Sequence, residues 1–566
     1  MRTNPSSLSG AVRQAEPRRD VHVSFPDGRV FRGPVGTPLL AFCDAAFEGD
    51  RSQVAGLIEN RLVELGEAVR RDVEVIPVDT VSSEGLRIYQ RAMTFVLIVA
   101  ARELFPEAQL LIDHSVTIGG FFCQVIGHDS FTPAELAAIQ QRMREIVAAD
   151  EPIGRSQMPV EDAIAHFAAQ GNDDKVRLFS GTEDCDIAVY SLRGMLDCFH
   201  GPMLPSTGRL GECRLEDYPP GFILRADVER HQLPLESHRD YPKLMGVFRE
   251  YGRWLNILGI EDVGSMNQAI ERGDAARAIL VSEALHEKRI SEIADAILER
   301  EEVRVVLIAG PSSSGKTTFA RRLSVQLMVN SRRPLPLGLD DYFVDREKTP
   351  RGPDGQYDFE ALEAIDLALF NAQLQALLSG EAVSVPRFDF VEGRGVPGRT
   401  VQLSPEGLLL IEGIHGLNPR LVYQIPEACV FRVYVSALTQ LNLDHHNRVA
   451  TTDNRLLRRM VRDEATRGIS ADETLRRWPS VRLGEERNIF PFQENADVMF
   501  NSALVYEVAV LKPFAERLLY RVPRDVPQAV ESQRLLSLLR WVRPCDPSLV
   551  PSNSLLREFI GGSVLH

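Results

Sequence analysis

The residues most able to do chemistry lie in one glycine-rich stretch near the middle of the chain. It fits the pattern G-x-x-x-x-G-K-S/T without a mismatch and consists of Gly310, Pro311, Ser312, Ser313, Ser314, Gly315, Lys316, Thr317 and Thr318. A loop with this spacing turns its backbone N–H groups inward, where they cradle the phosphates of a nucleotide. Lys316 can reach the β- and γ-phosphates, and the Thr317 hydroxyl can bind Mg²⁺. The stretch therefore predicts a site for ATP with Mg²⁺.

The sequence around this loop agrees with that interpretation. Residues 305–308 are all apolar, as in a strand buried on both faces, and residues 319–328 predict a helix because they contain neither glycine nor proline. The alternative is a glycine- and serine-rich turn that only joins a strand to a helix. Because motif and context agree, we favour the phosphate site.

Two acidic positions follow predicted strands in the same region. Glu412 stands directly after the apolar run 408–411, where a carboxylate that supports a metal ion is expected. Asp340 ends the short strand 335–339 and could accept the proton of a substrate hydroxyl. Its neighbour Asp341 is the competitor, and alternation along a strand would let only one of them face the substrate. The alternatives are a strand-end acid that faces water and a pair of capping aspartates.

The surrounding pattern predicts an α/β fold with a parallel sheet. Further buried strands are expected at 407–411, 430–436 and 497–500, and a helix is expected over 359–378, closed by Gly380. Strands that alternate with helices form parallel sheets through right-handed crossovers. Ligands of such sheets bind at the carboxyl ends of the strands, where the acidic positions also fall.

Composition limits the function classes that need to be considered. The 566 residues are 44% hydrophobic and carry a net charge of −15, which argues against a general nucleic-acid coat or binding to an anionic membrane. The seven cysteines include no C-x-x-C pair, which favours a reducing compartment. The apolar run 95–101 is too short to span a bilayer. We expect a cytoplasmic protein that binds no membrane, and a homo-oligomer remains open.

Changes in pattern divide the chain into a series of units. Residues 21–80 predict a small β-rich module, since residues 21–25 alternate before a Pro26-Asp27-Gly28 turn and a further strand is expected at 72–78. The predicted units in order are a loose tail at 1–20, the β-rich module at 21–80, an α+β region at 81–240, a helical connector at 241–300, the P-loop domain at 301–510, and C-terminal helices with a tail at 511–566.

The first two structured units resemble the N-terminal half of threonyl-tRNA synthetases. The Pro26-Asp27-Gly28 hairpin resembles their TGS module, and residues 81–240 resemble their editing domain. The resemblance implies a hydrolytic site with an H-x-x-x-H pair, but those two positions hold Arg91 and Phe95 here. Cys198 matches the family's cysteine, and Met203 replaces a histidine. We therefore expect no editing activity, with His200 as the residue that could compensate.

The P-loop domain resembles the uridine kinase and phosphoribulokinase family through six motifs in the same order. They are the segments 310–318, 340–343, 356–360, 386–390, 410–414 and 459–468. The whole arrangement, with a synthetase-like N-terminal half before the kinase, resembles bacterial uridine-kinase-like nucleoside kinases.

The family resemblance implies a role for individual residues. It makes Asp340 the catalytic base, with Lys316 and Arg462 as further catalytic residues, and places Thr317 and Glu412 at the metal. The acceptor would contact Asp340, Phe343, Glu360, Phe388, Arg459, Arg462 and Arg467. The arginines would form a lid over the transferred phosphoryl group. The alternative for the arginines, together with Arg455 and Arg458, is a solvated basic face of a helix.

Three departures from the family pattern concern the acceptor. The position of a pyrimidine-reading histidine holds Gly393, that of a glutamine holds Arg477, and that of a second lid arginine holds Ile469. A pocket that loses hydrogen-bonding groups loses discrimination. The leading hypothesis is therefore ATP-dependent phosphorylation of a nucleoside or related small hydroxyl acceptor. The alternative is an NTP-binding regulatory protein whose N-terminal half engages tRNA or rRNA.

Overall fold

The computed structural model describes residues 16–116, 120–226, 241–352, 355, 357–389, 392–439 and 441–565. The strands of these residues are β1 Asp20–Ser24, β2 Val30–Pro34, β3 Gln53–Ile58, β4 Arg61–Glu64, β5 Val73–Glu74, β6 Ile76–Asp79, β7 Gln109–Ser115, β8 Phe121–Ile126, β9 Gly154–Pro159, β10 Asp186–Leu192, β11 Met195–Asp197, β12 Cys213–Tyr218, β13 Gly221–Ala226, β14 Val305–Ala309, β15 Arg333–Gly338, β16 Ala382–Asp389, β17 Arg394–Gln402, β18 Gly407–Glu412, β19 Val430–Ser436 and β20 Val498–Asn501. The helices are α1 Leu39–Ala46, α2 Ser83–Leu104, α3 Pro133–Ala148, α4 Val160–Ala169, α5 Asp173–Ser180, α6 Pro242–Leu258, α7 Val263–Glu271, α8 Ala275–Leu298, α9 Lys316–Val329, α10 Leu367–Leu378, α11 Thr451–Arg467, α12 Ala471–Asn488, α13 Glu507–Leu519, α14 Ala529–Leu539 and α15 Arg557–Ile560.

The predicted parallel α/β sheet is confirmed. Its strand order is β15-β18-β14-β19-β20, and all neighbouring pairs are parallel. The strand before the P-loop, β14, is central and fully buried. The register aligns Glu412 with Ile308 on one side and with Gly338 on the other. The end of β18 therefore lies directly between the start of the P-loop and the turn that carries Asp340.

Three local predictions need correction. The helix expected over 359–378 begins at Leu367, because the side chain of Asp366 caps it by accepting the Leu369 N–H at 2.9 Å. Leu339–Tyr342 forms a 3₁₀ turn rather than the end of a strand. The strand expected at 72–78 is divided between β5 and β6, which belong to different sheets.

The N-terminal part is built from small sheets that are antiparallel except for the parallel pair of β1 and β5. The expected strand–turn–strand is confirmed as β1 paired with β2, and residues 1–15 of the predicted tail lie outside the described residues. The larger sheet has the order β12-β13-β8-β7, against which the buried helix α2 packs. The prediction for the α+β region extends to residue 240, and its last part, 227–240, also lies outside the described residues.

The helices that follow residue 241 pack into the P-loop region rather than only joining two parts. Glu283 on α8 lies 3.4 Å from Arg322 on α9 and accepts the Tyr506 hydroxyl at 2.6 Å. Apolar residues of α8 belong to the same buried cluster as residues of β14, α9 and α11. The segment predicted as a helical connector is thus part of the core that supports the P-loop.

A buried charged cluster joins the N-terminal part to the loop before α11. Lys175 Nζ lies 3.0 Å from Asp197 Oδ1 and 3.2 Å from Asp444 Oδ1, and all three side chains are almost completely buried. His446 Nδ1 lies 2.6 Å from the second oxygen of Asp197. Asn447 donates to the Cys198 carbonyl at 2.9 Å. Residues from both halves therefore satisfy one another's polar groups.

The charges of this cluster favour the ionised forms. Burial alone would raise the pKa of Asp197, but the Lys175 ammonium and His446 together outweigh it and hold that pKa below its ordinary value. Burial would lower the pKa of Lys175, but Asp197 and Asp444 outweigh it and raise that pKa. The cation and the two carboxylates therefore depend on each other for their charge.

A helix needs about 20 predominantly apolar residues to cross a bilayer. Within the described parts of the chain, every helix is too short or too polar to cross a membrane.

Substitution of Lys175 tests the dependence between the two halves. Lys175→Met removes the ammonium group that two buried carboxylates share, and we expect a loss of about 3–5 kcal/mol of stability, seen as a lower Tm in calorimetry. The matched control Lys288→Met removes a lysine whose side chain is 65% exposed and should change the stability by less than about 0.5 kcal/mol. Equal Tm values for the two variants would contradict the role of Lys175.

Candidate active site

The backbone of the P-loop requires glycine at two positions. A Cβ on Gly310 would lie 1.9 Å from the Val435 carbonyl oxygen, and Gly315 has a left-handed φ of +83°. A Cβ on Gly315 would also lie 2.4 Å from a methyl group of Leu555. Only glycine therefore lets the loop curl at the start of α9, where the helix dipole and free N–H groups favour an anion.

Lys316 and Thr317 lie at the centre of this loop. The Lys316 ammonium donates to the carbonyls of Gly310 at 2.9 Å and Pro311 at 3.1 Å, so it folds back over the loop. The Thr317 hydroxyl lies 2.9 Å and 3.1 Å from the two carboxylate oxygens of Glu412. Burial raises the pKa of Glu412 and lowers that of Lys316, while each group's charge opposes the shift of the other.

Asp340 and its neighbour Asp341 have separate surroundings. Asp340 is exposed to solvent in the cleft beside Lys316. The dense protein around the cleft raises the pKa of Asp340, and the Lys316 charge opposes that rise. Asp341 instead accepts the backbone N–H of Phe388 at 3.4 Å. The 3₁₀ turn, rather than strand alternation, therefore separates the two carboxylates.

Glu360 lies in the same cleft as Asp340. Burial first, and then the charge of Glu485, raise the pKa of Glu360 to about 7, and the charges of Arg459 and Lys316 oppose that rise. The Glu360 side chain packs against Gly484 on α12, where an added Cβ would lie 2.6 Å from its Cβ and Cγ atoms. The structure therefore brings Asp340, Glu360 and Lys316 together.

Two arginines of α11 are structural. Arg455 is 1% exposed and pairs with Glu485, with Nη2 and Oε2 at 2.7 Å. Arg458 is completely buried and pairs with Glu507. The interpretation as a solvated basic face is therefore wrong for these two, because their charges are matched inside the core.

The other arginines of α11 converge on one acid. Asp463 is almost fully buried and lies 3.3 Å from Arg459, 3.1 Å from Arg462 and 3.3 Å from Arg467. Arg459 also donates to the Ser312 hydroxyl at 2.7 Å, which places it at the P-loop. The three arginines expected in a lid therefore share a single anchor at the end of the helix.

Three phenylalanine rings form an aromatic group, and one of them, Phe359, is next to Glu360 in the chain. The ring centroids of Phe343 and Phe388 are 5.6 Å apart and those of Phe343 and Phe359 are 6.4 Å apart, in edge-on geometry. Gly393 has a φ of +71°, and a Cβ there would lie 2.7 Å from the Arg346 guanidinium. An arginine therefore fills the space beside Gly393, and Arg477 pairs with Glu473 on the exposed surface of α12.

The sequence does not predict two further carboxylates that contact the P-loop. Glu485 accepts the Ser312 N–H at 3.0 Å, and Glu558 accepts the Thr318 hydroxyl at 2.6 Å. These residues stand 173 and 240 positions away along the chain. No local pattern marks them, because a helical acid is equally common on any solvated surface.

The counterpart of the synthetase hydrolytic site is filled by the protein itself. Phe95 packs against Phe199 at 5.1 Å, and Met203 is buried. Burial raises the pKa of the Cys198 thiol far above its ordinary value, which opposes formation of a thiolate. His200 lies 3.8 Å from the buried Asp444. The described residues therefore present no reactive cysteine–histidine pair at this position.

The C-terminal region is similar to proteins of a known family. Residues 305–509 match the phosphoribulokinase / uridine kinase family. A solved structure described as a possible uridine kinase from Bacillus stearothermophilus is 21% identical, covers 38% of this chain and 98% of its own, and superposes with a TM-score of 0.26. The resemblance of the C-terminal region to this family is confirmed.

The N-terminal part matches a different group of proteins. The threonine–tRNA ligase of Acidovorax ebreus is 32% identical over 193 residues, which are 34% of this chain and 30% of the ligase. That of Desulforamulus reducens is 27% identical over 266 residues, which are 43% of this chain and 41% of the ligase. The resemblance to threonyl-tRNA synthetases is confirmed, although the chain spans about a third of the length of Acidovorax-type ligases.

The contact between Glu360 and α12 can be tested with two glycines. Gly252→Ala adds a methyl group on α6 with nothing within 4 Å and should stabilise the protein by about 0.5–1 kcal/mol through helix propensity. Gly484→Ala forces Glu360 to move and should destabilise it by about 1–3 kcal/mol. Thermal unfolding of both variants measures the difference. Stabilisation by Gly484→Ala to the same extent would mean that Glu360 is not held against α12.

Proposed function

We propose that the protein is an ATP-dependent kinase that phosphorylates a hydroxyl group of a nucleoside or related small acceptor. The proposal depends on one observation. Asp340 lies in the same cleft as Lys316 and as the hydrogen-bonded pair of Thr317 and Glu412. A cleft that holds a phosphate cradle, a metal-supporting pair and a free carboxylate contains the parts that phosphoryl transfer needs.

Each group has a chemical task in this proposal. The Asp340 carboxylate accepts the proton of the acceptor hydroxyl as that oxygen attacks the phosphorus. Lys316 neutralises charge on the phosphates, and Arg459 and Arg462 stabilise the negative charge that spreads over the transferred group. Solvent access to Asp340 and its raised pKa suit a group that gains a proton during turnover.

The residues present fit Mg²⁺ as the accompanying ion. Thr317 and Glu412 supply a hydroxyl and a carboxylate within hydrogen-bonding distance of each other, and Mg²⁺ prefers oxygen ligands completed by water and phosphate. When bound, the ion would neutralise charge on the phosphates. Thr317 would bind it directly, and Glu412 would hold Thr317 or an ion-bound water in place.

The class of acceptor follows from Glu360 and the aromatic group. A carboxylate can accept hydrogen bonds from two neighbouring hydroxyls, as on a ribose, while Phe343 and Phe388 offer rings to a flat base. Gly393 has no side chain and the Arg477 guanidinium is paired with Glu473, so neither residue takes the place of a side chain that reads a pyrimidine. We therefore propose acceptance of several sugar-containing molecules rather than of uridine alone.

A screen for acceptor-dependent ADP release tests the function. Nucleosides and sugars are assayed with the wild-type protein, with Lys316→Ala as the background. Asp340→Asn should lower kcat about 100-fold or more because it removes the proton acceptor, whereas Asp341→Asn should retain most of it. Failure of every acceptor to raise ADP release above the Lys316→Ala background would refute the kinase proposal.

The pKa of about 7 for Glu360 predicts a pH dependence. Because the carboxylate is protonated below this pKa and ionised above it, the KM for the acceptor should fall about tenfold between pH 6 and pH 8. Glu360→Gln should remove the dependence. The control Glu363→Gln, at a carboxylate 55% exposed and paired with Arg420, should keep it. A KM that rises with pH would contradict the role of Glu360.

Contact with RNA is a second candidate for the N-terminal half. It is favoured by the similarity to threonine–tRNA ligases. The net charge of −15 opposes RNA binding. The loop before α11, which contains Asp444 and His446, also packs beside Cys198 and covers this part of the N-terminal half. We therefore place RNA binding behind the kinase as a proposal.

A further inference from the structure

The C-terminal segment 551–562 closes against the P-loop. Glu558 on α15 accepts the Thr318 hydroxyl at 2.6 Å and the Thr318 backbone N–H at 3.3 Å through the same carboxylate oxygen. Leu555 contacts the loop at Gly315. The last residues of the chain therefore bring a negative charge to the start of α9.

The Thr318 N–H is one of the donors that a P-loop directs to a nucleotide. Thr318 is the third residue of α9, and the first N–H groups of a helix have no partner within the helix. In loops of this spacing such groups bind phosphate oxygens. The carboxylate of Glu558 thus occupies a donor that an anionic phosphate would use, and one N–H cannot serve both at full strength.

The segment is anchored, so only a side chain needs to move. Leu555 and Leu556 are completely buried, and Phe559 is 1% exposed. The Arg458 guanidinium lies 5.1 Å from the centroid of the Phe559 ring. Glu558 itself is only half-buried. Rotation of its side chain toward solvent frees Thr318 without unfolding the C-terminal segment.

We infer that Glu558 competes with the phosphates of the nucleotide for the Thr318 N–H. The inference rests on the proposed function, since the ligand is a nucleoside triphosphate. The carboxylate satisfies the Thr318 N–H and balances the positive end of α9. Nucleotide binding must displace this charge, so the C-terminal segment weakens the affinity for ATP.

Binding of nucleotide by the full-length protein tests this inference. Calorimetric titration with Mg·ATP should give a Kd about tenfold lower for Glu558→Gln and Glu558→Ala than for wild type, because a charged competitor is removed. Inorganic triphosphate should gain by a similar factor, whereas adenosine should bind with unchanged affinity. The control Glu516→Gln removes the same charge from α13 and should leave all three affinities unchanged.

The possible outcomes separate the inference from the function. Equal or weaker binding of ATP by both Glu558 variants would mean that Glu558 only caps α9, and would overturn the inference. A gain shared by adenosine would overturn it too, because competition with phosphate cannot act on a ligand without one. The isosteric Glu558→Gln keeps a hydrogen-bond acceptor and so gives the result even if the alanine variant fails to fold. Absence of ATP binding by wild type and every variant would instead refute the proposed function.

Discussion

The positive electrostatic potential at the start of α9 determines which charged side chains lie around the P-loop. The P-loop turns N–H groups inward and adds Lys316 and a helix dipole, and unpaired N–H groups of this kind are costly when they are buried. Three carboxylates from distant parts of the chain accept hydrogen bonds from this region. Glu412 accepts from Thr317, Glu485 from Ser312, and Glu558 from Thr318. The cleft therefore contains several acids, and burial first, then the charge of Glu485, raise the pKa of Glu360.

The same constraint links the cleft to the N-terminal half. Arg455 on α11 balances Glu485 and donates to the Ser312 carbonyl, so this helix holds the P-loop from behind. The loop that leads into α11 is in turn fixed by Asp444, which pairs with Lys175 of the synthetase-like half. The region that resembles a hydrolytic site therefore helps to position α11, the helix that contacts the P-loop.

Local patterns predicted the parts of the site that depend on local geometry. The P-loop, β14, α9 and Glu412 follow from spacing and from apolar runs, which encode short-range structure. The sequence predicts a helix from residue 359, but the cap at Asp366 starts α10 at Leu367, and this choice between two helix starts depends on the surrounding packing. Glu485 and Glu558 could not be found, since their role depends on packing between segments that are 173 and 240 residues apart. The burial of Arg455 and Arg458 was missed for the same reason.

Proton linkage of nucleotide binding examines this crowded cleft most directly. Titration of Mg·ATP at pH 7 in buffers with different ionisation enthalpies measures the protons exchanged on binding. Phosphates placed beside Glu360 should raise its pKa further from about 7, so the protein should take up a fraction of one proton. The uptake should disappear in Glu360→Gln. Binding without proton uptake in the wild-type protein would contradict a cleft in which nucleotide and Glu360 share one electrostatic environment.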